Sequence, residues 1–196
     1  GSIRYVLDLV EEAKERYPGK VRRFHMGHCS LIHPNDYQRF IDLDVVAEIG
    51  PAMWYPSPLK PIVEEKLGAE RASNWFNIRA MLDAGITVAW GSDWPAGTPD
   101  ANPFRGLEGL ITRSHPWGEA EGSWGTPISM DEGLHILTMG SAYAMQRENE
   151  IGSIEEGKYA DMIVLDRNPF EIDPSEISEI KVKQTLFEGT VVYKKK

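Results

Sequence analysis

The sequence predicts an α/β protein in which residues 1–150 form part of a parallel barrel and residues 151–196 form a small β module. In the first part, short β-branched runs alternate with amphipathic helical patterns, which is typical of parallel strands joined by right-handed crossovers. From about Ile151 the pattern changes to short strands separated by turn residues, which is typical of antiparallel pairing. The chain therefore has two structural parts.

Helices and strands follow one another regularly through the first part of the chain. The predicted helices are Ile3–Tyr17, Tyr37–Leu43, a helix capped by Ser73 and running to Asp83, Asn102–Arg113, and a helix capped by Ser129 and running to Arg147. The predicted strands are Val21–His28, Val45–Ile49 and the run that begins at Ala84 and ends at Ser92 and Asp93. Glu132 stands at capping-box spacing from Ser129, and the segment from Gly50 to Pro61, rich in proline and aromatic residues, is expected to be a loop.

The second part of the chain contains three short strand patterns. Met162–Asp166 is predicted to be a strand, and Val182–Phe187 and Val191–Tyr193 flank Glu188 and Gly189 as a hairpin. The whole chain is shorter than a complete (β/α)8 barrel, which takes about 250 residues. The leading helix implies a strand before it, and three parallel strands would leave open edges. We therefore expect the C-terminal part of a larger barrel.

The composition narrows the range of partners. A net charge of -9 argues against a surface for nucleic-acid phosphates or anionic lipid. No apolar run approaches the roughly 20 residues of a membrane helix, so we expect neither nucleic acid nor membrane as a partner, but a small-molecule substrate. The single cysteine, Cys29, excludes an internal disulfide and favours a reducing, cytoplasmic compartment.

Two predicted strands end in side chains that can bind a metal ion. Val21–His28 ends in an imidazole, and Gly91, Ser92 and Asp93 place a carboxylate after the third strand. In parallel α/β folds the carboxyl ends of the strands carry the chemistry. His28 and Asp93 could therefore meet at one metal ion, although a buried histidine and an aspartate that caps a turn are the structural alternatives.

Three blocks of this sequence resemble the amidohydrolase superfamily, in particular the family 3 branch of YtcJ-like proteins and N-substituted formamide deformylase. Gly27–Pro34 resembles the segment EHAQLIHP that follows barrel strand six in that branch, with Gly27 in place of the glutamate. Gly85–Pro95 is similar to its strand-eight segment, which ends in GSD, and Ile151–Asp166 is similar to the later segment that begins GSI. The resemblance covers nearly the whole chain in the right order.

This resemblance implies a fold and a site. It implies about strands 6–8 of a metal-dependent hydrolase TIM barrel, followed by part of a β-sandwich that both chain ends build together. His28 would then be the strand-six metal ligand, and Asp93 the strand-eight aspartate that binds metal and shuttles the proton. The implied cofactor is one or two divalent ions, with zinc favoured. The remaining ligands would lie upstream of this chain.

The expected function is metal-dependent hydrolysis of a carbon–nitrogen bond other than a peptide bond, such as an amide, N-acyl or formamide bond. A metal ion suits this reaction because it lowers the pKa of bound water and polarises a carbonyl, while Asp93 could move the proton. Trp54 and Trp94 are expected to line the substrate pocket. Cys29 is expected to pack rather than to react.

We expect the isolated chain to be inactive, because the ligand set is incomplete, and to self-associate or form a homo-oligomer through open barrel edges. A non-catalytic scaffold with the same fold is the alternative, and a small self-contained α/β binding domain is a weaker one. Intact upstream metal ligands in the longer protein would identify an enzyme, and their loss would identify a scaffold.

Overall fold

The computed structural model describes residues 1–20, 23–50, 59–96, 100–116 and 124–195, and contains two three-stranded sheets within these ranges. The first sheet is parallel, with strand order β1 (Phe24–Met26), β2 (Val45–Ile49) and β3 (Val88–Trp90). The second is antiparallel and comprises β4 (Met162–Leu165), β5 (Val182–Phe187) and β6 (Thr190–Lys194). The strands of the parallel sheet all precede those of the antiparallel sheet along the chain. The division of the chain into two domains at about residue 150 stays a prediction.

Helices cover one face of the parallel sheet. The helices up to Thr112 are α1 (Ser2–Arg16), a 3₁₀ turn (Pro34–Asp36) leading into α2 (Tyr37–Asp42), α3 (Leu59–Leu67), α4 (Ala69–Ala72), α5 (Ile78–Asp83) and α6 (Pro103–Thr112). Of these, α1, α2, α5 and α6 contribute buried side chains to the core on that face. Alternate residues of β2, namely Val45, Ala47 and Ile49, enter a buried cluster with side chains of these helices. Successive strand residues point to opposite faces, so Val46 and Glu48 lie on the other face of this sheet.

The first helix is amphipathic, and few of its apolar side chains are buried. Leu7 and Val10 are buried, whereas the apolar side chains of Val6 and Leu9 are exposed in the described chain. Lys14 and Arg16 in the last turn complement the negative end of the helix dipole. Pro18 follows and cannot continue the helix.

The region between β2 and β3 differs from the prediction in two ways. The segment expected to be a loop up to Pro61 instead enters α3 at Leu59, where Pro61 falls in the first turn, the one place in which a helix tolerates proline. Ser73 does not cap the next helix, because its hydroxyl donates to the carbonyl of Glu70 at 2.7 Å. Asn77 caps α5 instead, with its side-chain oxygen accepting from the Ala80 amide at 3.2 Å.

The long helix after Ser129 is interrupted near its middle. It begins as α7 (Met130–His135) with the predicted capping box between Ser129 and Glu132, passes through a π-helical segment (Ile136–Gly140), and ends as α8 (Ser141–Ala144) rather than at Arg147. At Gly140 this backbone lies so close to β3 that an added Cβ would stand 2.1 Å from the Val88 carbonyl oxygen. Ser141 Oγ accepts from the amide of Trp90 at 3.3 Å. The helix therefore covers the edge of β3, which an open sheet has to protect.

The antiparallel sheet packs on the barrel part through α6. Phe104 and Leu107 of α6 form a buried cluster with Ile177 and Ile180, which belong to and follow a 3₁₀ turn (Pro174–Glu179). The predicted hairpin is present, and Glu188 and Gly189 both have positive φ, as a type I′ turn requires. No helix in the described ranges is long and apolar enough to cross a membrane.

Candidate metal and catalytic site

His28 and Asp93 lie just beyond the carboxyl ends of two strands of the parallel sheet. Gly27 separates His28 from the end of β1, and two residues separate Asp93 from the end of β3. Both residues adopt the left-handed backbone region, each with a φ of 53°. Residues other than glycine rarely adopt this conformation, and those that do are concentrated at functional sites. Both turns lie at the same edge of the sheet, the one at which the parallel strands end.

The structure brings the two side chains together. Nε2 of His28 lies 3.8 Å from Oδ1 of Asp93, and the imidazole is more exposed than the carboxylate, at 54% against 28%. This separation is longer than a hydrogen bond. It is shorter than two zinc–ligand distances laid end to end, about 4.2 Å, so one ion can touch both atoms.

His28 and Asp93 are of residue types that bind zinc, but two ligands are fewer than a zinc site uses. Imidazole nitrogen and carboxylate oxygen are both common zinc donors, and a catalytic zinc site uses three protein ligands. Within the described ranges, no group of three or more His, Cys, Asp or Glu side chains is placed to hold a metal ion. His28 and Asp93 can therefore supply two of the ligands, and a third must come from elsewhere.

The turn around Asp93 depends on small neighbours. An added Cβ at Gly50, just after β2, would stand 3.4 Å from Cβ of Asp93, so the absence of a side chain leaves room for the carboxylate. The Asp93 carbonyl accepts from the Ala96 amide at 2.7 Å, and the Ser92 hydroxyl accepts from the Trp94 amide at 3.3 Å. These bonds fix the backbone on both sides of the carboxylate.

Cys29 is next to His28 but is not equipped to be a nucleophile. Its side chain is fully buried, and its thiol donates to the Met26 carbonyl at 3.1 Å. Burial, followed by the negative charge of Glu48, raises the pKa of Cys29 to about 12. The thiolate is the reactive form, so Cys29 packs, as the sequence predicted.

A second imidazole and carboxylate pair lies on the face of the sheet opposite the helices. Nε2 of His25 is 3.4 Å from Oε2 of Glu48. Sequence reasoning did not single out Glu48, although a charged residue inside the apolar run Val45–Ile49 was a signal that could have found it. Buried strands of parallel sheets are otherwise nearly continuous apolar runs.

A polar cavity of about 280 Å³ borders His28. Arg4 and Arg71 contribute cations to its wall, and Arg4 Nε donates to both carboxylate oxygens of Asp36, at 2.9 and 3.1 Å. His33 also lines the cavity, and its Nδ1 accepts from the Asn35 amide at 3.2 Å, so it caps the 3₁₀ turn. The cavity is large enough for a small polar group beside the imidazole of His28.

The structure describes one of the two aromatic residues that the sequence predicts to bind substrate. Trp94 follows Asp93 directly and is 56% exposed. Trp54 lies outside the described residues. The assignment of Trp94 and Trp54 to the substrate pocket stays a prediction.

The sequence pattern of the amidohydrolase family matches residues 1–193. The N-substituted formamide deformylase of Arthrobacter pascens is 31% identical over 196 residues, which are 99% of this chain and 35% of that protein. A 5-methylthioadenosine/S-adenosylhomocysteine deaminase of Caldanaerobacter subterraneus is 29% identical over 177 residues, which are 84% of this chain and 36% of the relative.

The fold also matches a solved structure that contains a metal. A mutant of the atrazine chlorohydrolase TrzN from Arthrobacter aurescens TC1, complexed with zinc and atraton, superimposes with a TM-score of 0.58 at 25% identity. The match covers 87% of this chain and 36% of TrzN. The chain therefore spans only about a third of the length of the relatives that it matches.

Proposed function

The chain belongs to the amidohydrolase family, and we propose that it is the part of a metal-dependent hydrolase that carries barrel strands 6–8 and part of a β-sandwich. The proposed reaction is hydrolysis of an amide, N-acyl or formamide-type carbon–nitrogen bond. Relatives that are a deformylase and a deaminase by name support this reaction class. The activity belongs to the whole protein, of which this chain is a part.

The proposal rests on the short distance between the side chains of His28 and Asp93. Two residues 65 positions apart in sequence bring an imidazole nitrogen within 3.8 Å of a carboxylate oxygen at the carboxyl ends of parallel strands. We propose that both bind a divalent ion, and the zinc in the TrzN structure favours zinc. When bound, such an ion supplies a Lewis acid that lowers the pKa of water and polarises a carbonyl.

Side chains of this chain would bind the ion, transfer the proton and contact the substrate. The imidazole of His28 offers Nε2 as a nitrogen ligand on the side that faces Asp93. The Asp93 carboxylate has a second oxygen besides the one nearest His28, so it can accept the proton of the attacking water and pass it to the leaving nitrogen. The exposed indole of Trp94 offers an apolar surface beside that carboxylate.

The test uses the full-length protein loaded with zinc. It is assayed by release of primary amine from a panel of N-substituted formamides and N-acyl amines. We expect at least one N-acyl compound to be hydrolysed, and the Asp93→Asn variant to lose activity by a factor of 100 or more, at the lower end of the range for general acid–base catalysis, about 10² to 10⁴. Asp42→Asn is the matched control, since Asp42 lies on the exposed surface of α2 and bonds only to Gln38 among described residues.

Absence of hydrolysis across the panel in a zinc-replete protein would contradict the proposal. So would full activity in Asp93→Asn. We further propose that the isolated 196-residue chain is inactive, because its described part supplies two donors where a catalytic zinc site uses three.

A further inference from the structure

Glu48 stands at a place where a parallel strand normally carries an apolar side chain. Its neighbours Ala47 and Ile49 pack into the helix-covered core, so Glu48 points to the opposite face, which in a closed barrel is the interior. On β1, Phe24 and Met26 pack against the same core, which places His25 on that face as well. The two polar side chains therefore meet on one surface of the sheet.

The strand register places Glu48 directly below the site. Met26 pairs with Ala47, so Glu48 lies one residue beyond the last pair of β1 with β2, toward the strand ends that carry His28 and Asp93. On the other side Glu48 pairs with Ala89, and its side chain reaches Gly91, where an added Cβ would stand 2.6 Å from Oε1. Gly27 precedes His28 by one residue and Gly91 precedes Asp93 by two.

Gly91, which has no side chain, thus leaves part of the space that the Glu48 carboxylate occupies. Oε2 of Glu48 lies 3.4 Å from Nε2 of His25, and the backbone carbonyl of Glu48 accepts from the Cys29 amide at 3.3 Å. The carboxylate of Glu48 therefore lies between the imidazole of His25 on β1 and the backbone that leads from β3 to Asp93.

We propose that Glu48 is a positioning residue that orients the imidazole of His25 as a further polar group on this face of the sheet, below His28 and Asp93. A carboxylate beside an imidazole nitrogen favours one orientation of the ring. The inference rests on the proposed function, because the site is the one described there.

The first test measures hydrolysis by the full-length, zinc-loaded protein, using an N-substituted formamide that the panel shows to be a substrate. We expect Glu48→Gln to lower kcat about tenfold or more with little change in KM, the size typical of residues that orient a ligand or catalytic group. The double variant Glu48→Gln/His25→Asn should be no slower than His25→Asn alone, because Glu48 acts through His25. Glu150→Gln, which removes an exposed carboxylate paired with Arg147, is the control expected to keep wild-type kcat.

Wild-type kcat in Glu48→Gln would overturn the proposal. A double variant whose loss equals the product of the two single losses would also overturn it, since the residues would then act independently.

A second test needs no catalysis and separates this inference from the proposed function. Gly91→Ala adds a Cβ against Oε1 of Glu48, so it should lower Tm in the wild-type background and lower it by less in the Glu48→Ser background. Equal Tm losses in the two backgrounds would place the Glu48 carboxylate elsewhere and overturn the inference. Unequal losses in a protein without hydrolase activity would contradict the proposed function while leaving the placement of Glu48 supported.

Discussion

The same left-handed backbone conformation at His28 and Asp93 brings the two side chains to one point. The sequence predicted that both residues follow strands, and each is of a type that binds metal, while their role as metal ligands stays a prediction. It did not predict their backbone conformation, which depends on neighbours distant in sequence such as Gly50. Glu48 was missed for a related reason: its partners Gly91 and His25 lie on other strands, and only the register brings them together.

Cys29 provides a test at the level of one residue. Because its thiol is buried and its pKa is raised to about 12, we expect no alkylation when the native protein is incubated with iodoacetamide near neutral pH. Cys29 is the only cysteine in the 196-residue chain, so the intact mass of that chain reports on this thiol alone. The unfolded chain should gain one adduct, and rapid labelling of the native chain would contradict the buried placement.

Secondary-structure elements defined by local signals were predicted well. The strand Val45–Ile49, the hairpin at Glu188 and Gly189 and the capping box at Ser129 depend on residues within a few positions of one another. Elements that depend on contacts between residues distant in sequence were not predicted. The π-helical segment forms where Gly140 meets the edge of β3, some fifty residues earlier, and the start of α3 was hidden by its proline-rich surroundings.

The capping box at the start of α7 predicts a measurable loss of stability. Ser129→Ala removes the acceptor of the Glu132 amide and should cost about 1 kcal/mol in the free energy of unfolding. Thr138→Ala on the same helix is the control, because its hydroxyl bonds back to the Leu134 carbonyl and such bonds add little to helix stability. Urea denaturation of the three proteins measures both, and equal stability of Ser129→Ala and wild type would contradict the cap.

The same capping box makes stability depend on pH. The Ser129 amide and then Arg79 hold the pKa of Glu132 below its usual value of 4.5. The unfolded chain therefore binds a proton more readily at this position, so the stabilisation is complete above pH 4.5 and is lost as pH falls through the lower folded pKa. Glu132→Gln should flatten the acid limb of the stability curve relative to wild type, and an unchanged acid limb would contradict this assignment.

On the scale of the whole molecule, the β module is held to the barrel part by α6. Leu107 is fully buried between α6 and the 3₁₀ turn, and Oε2 of Glu108 accepts from the Ser178 amide at 2.8 Å. The sequence predicted a second part from about Ile151, because composition and periodicity change there, and that boundary stays a prediction. It could not predict this interface, since no local pattern indicates which face of α6 meets Ile177.

The interface predicts the effect of truncating its central side chain. Leu107→Ala should lower the free energy of unfolding by about 2 to 5 kcal/mol, as deletions from a packed core do. Leu9→Ala is the matched control, because Leu9 is 46% exposed and should change stability by less than about 0.5 kcal/mol. A loss of similar size in both variants would mean that the packing around Leu107 is not what stabilises the fold.

The antiparallel sheet also predicts how the isolated chain behaves. Ile163, Phe187 and Val192 are each about half exposed or more, and form part of an open apolar surface. We propose that the 196-residue chain by itself self-associates through such surfaces, since exposed apolar patches favour association. Sedimentation velocity should show species larger than a monomer at high concentration, and a single monomeric boundary would contradict this.

His28 and Asp93 are proposed to hold one metal ion together. The metal content of the protein is the most direct measure of this site. Zinc per chain is measured by mass spectrometry on the dialysed full-length protein and on its His28→Ala and Asp93→Ala variants, with His135→Ala and Asp42→Ala as exposed controls. We predict stoichiometric zinc in the wild type and in both controls, and a loss in both site variants. Full zinc occupancy in either site variant, or a wild-type protein that binds no metal, would contradict a metal site shared by His28 and Asp93.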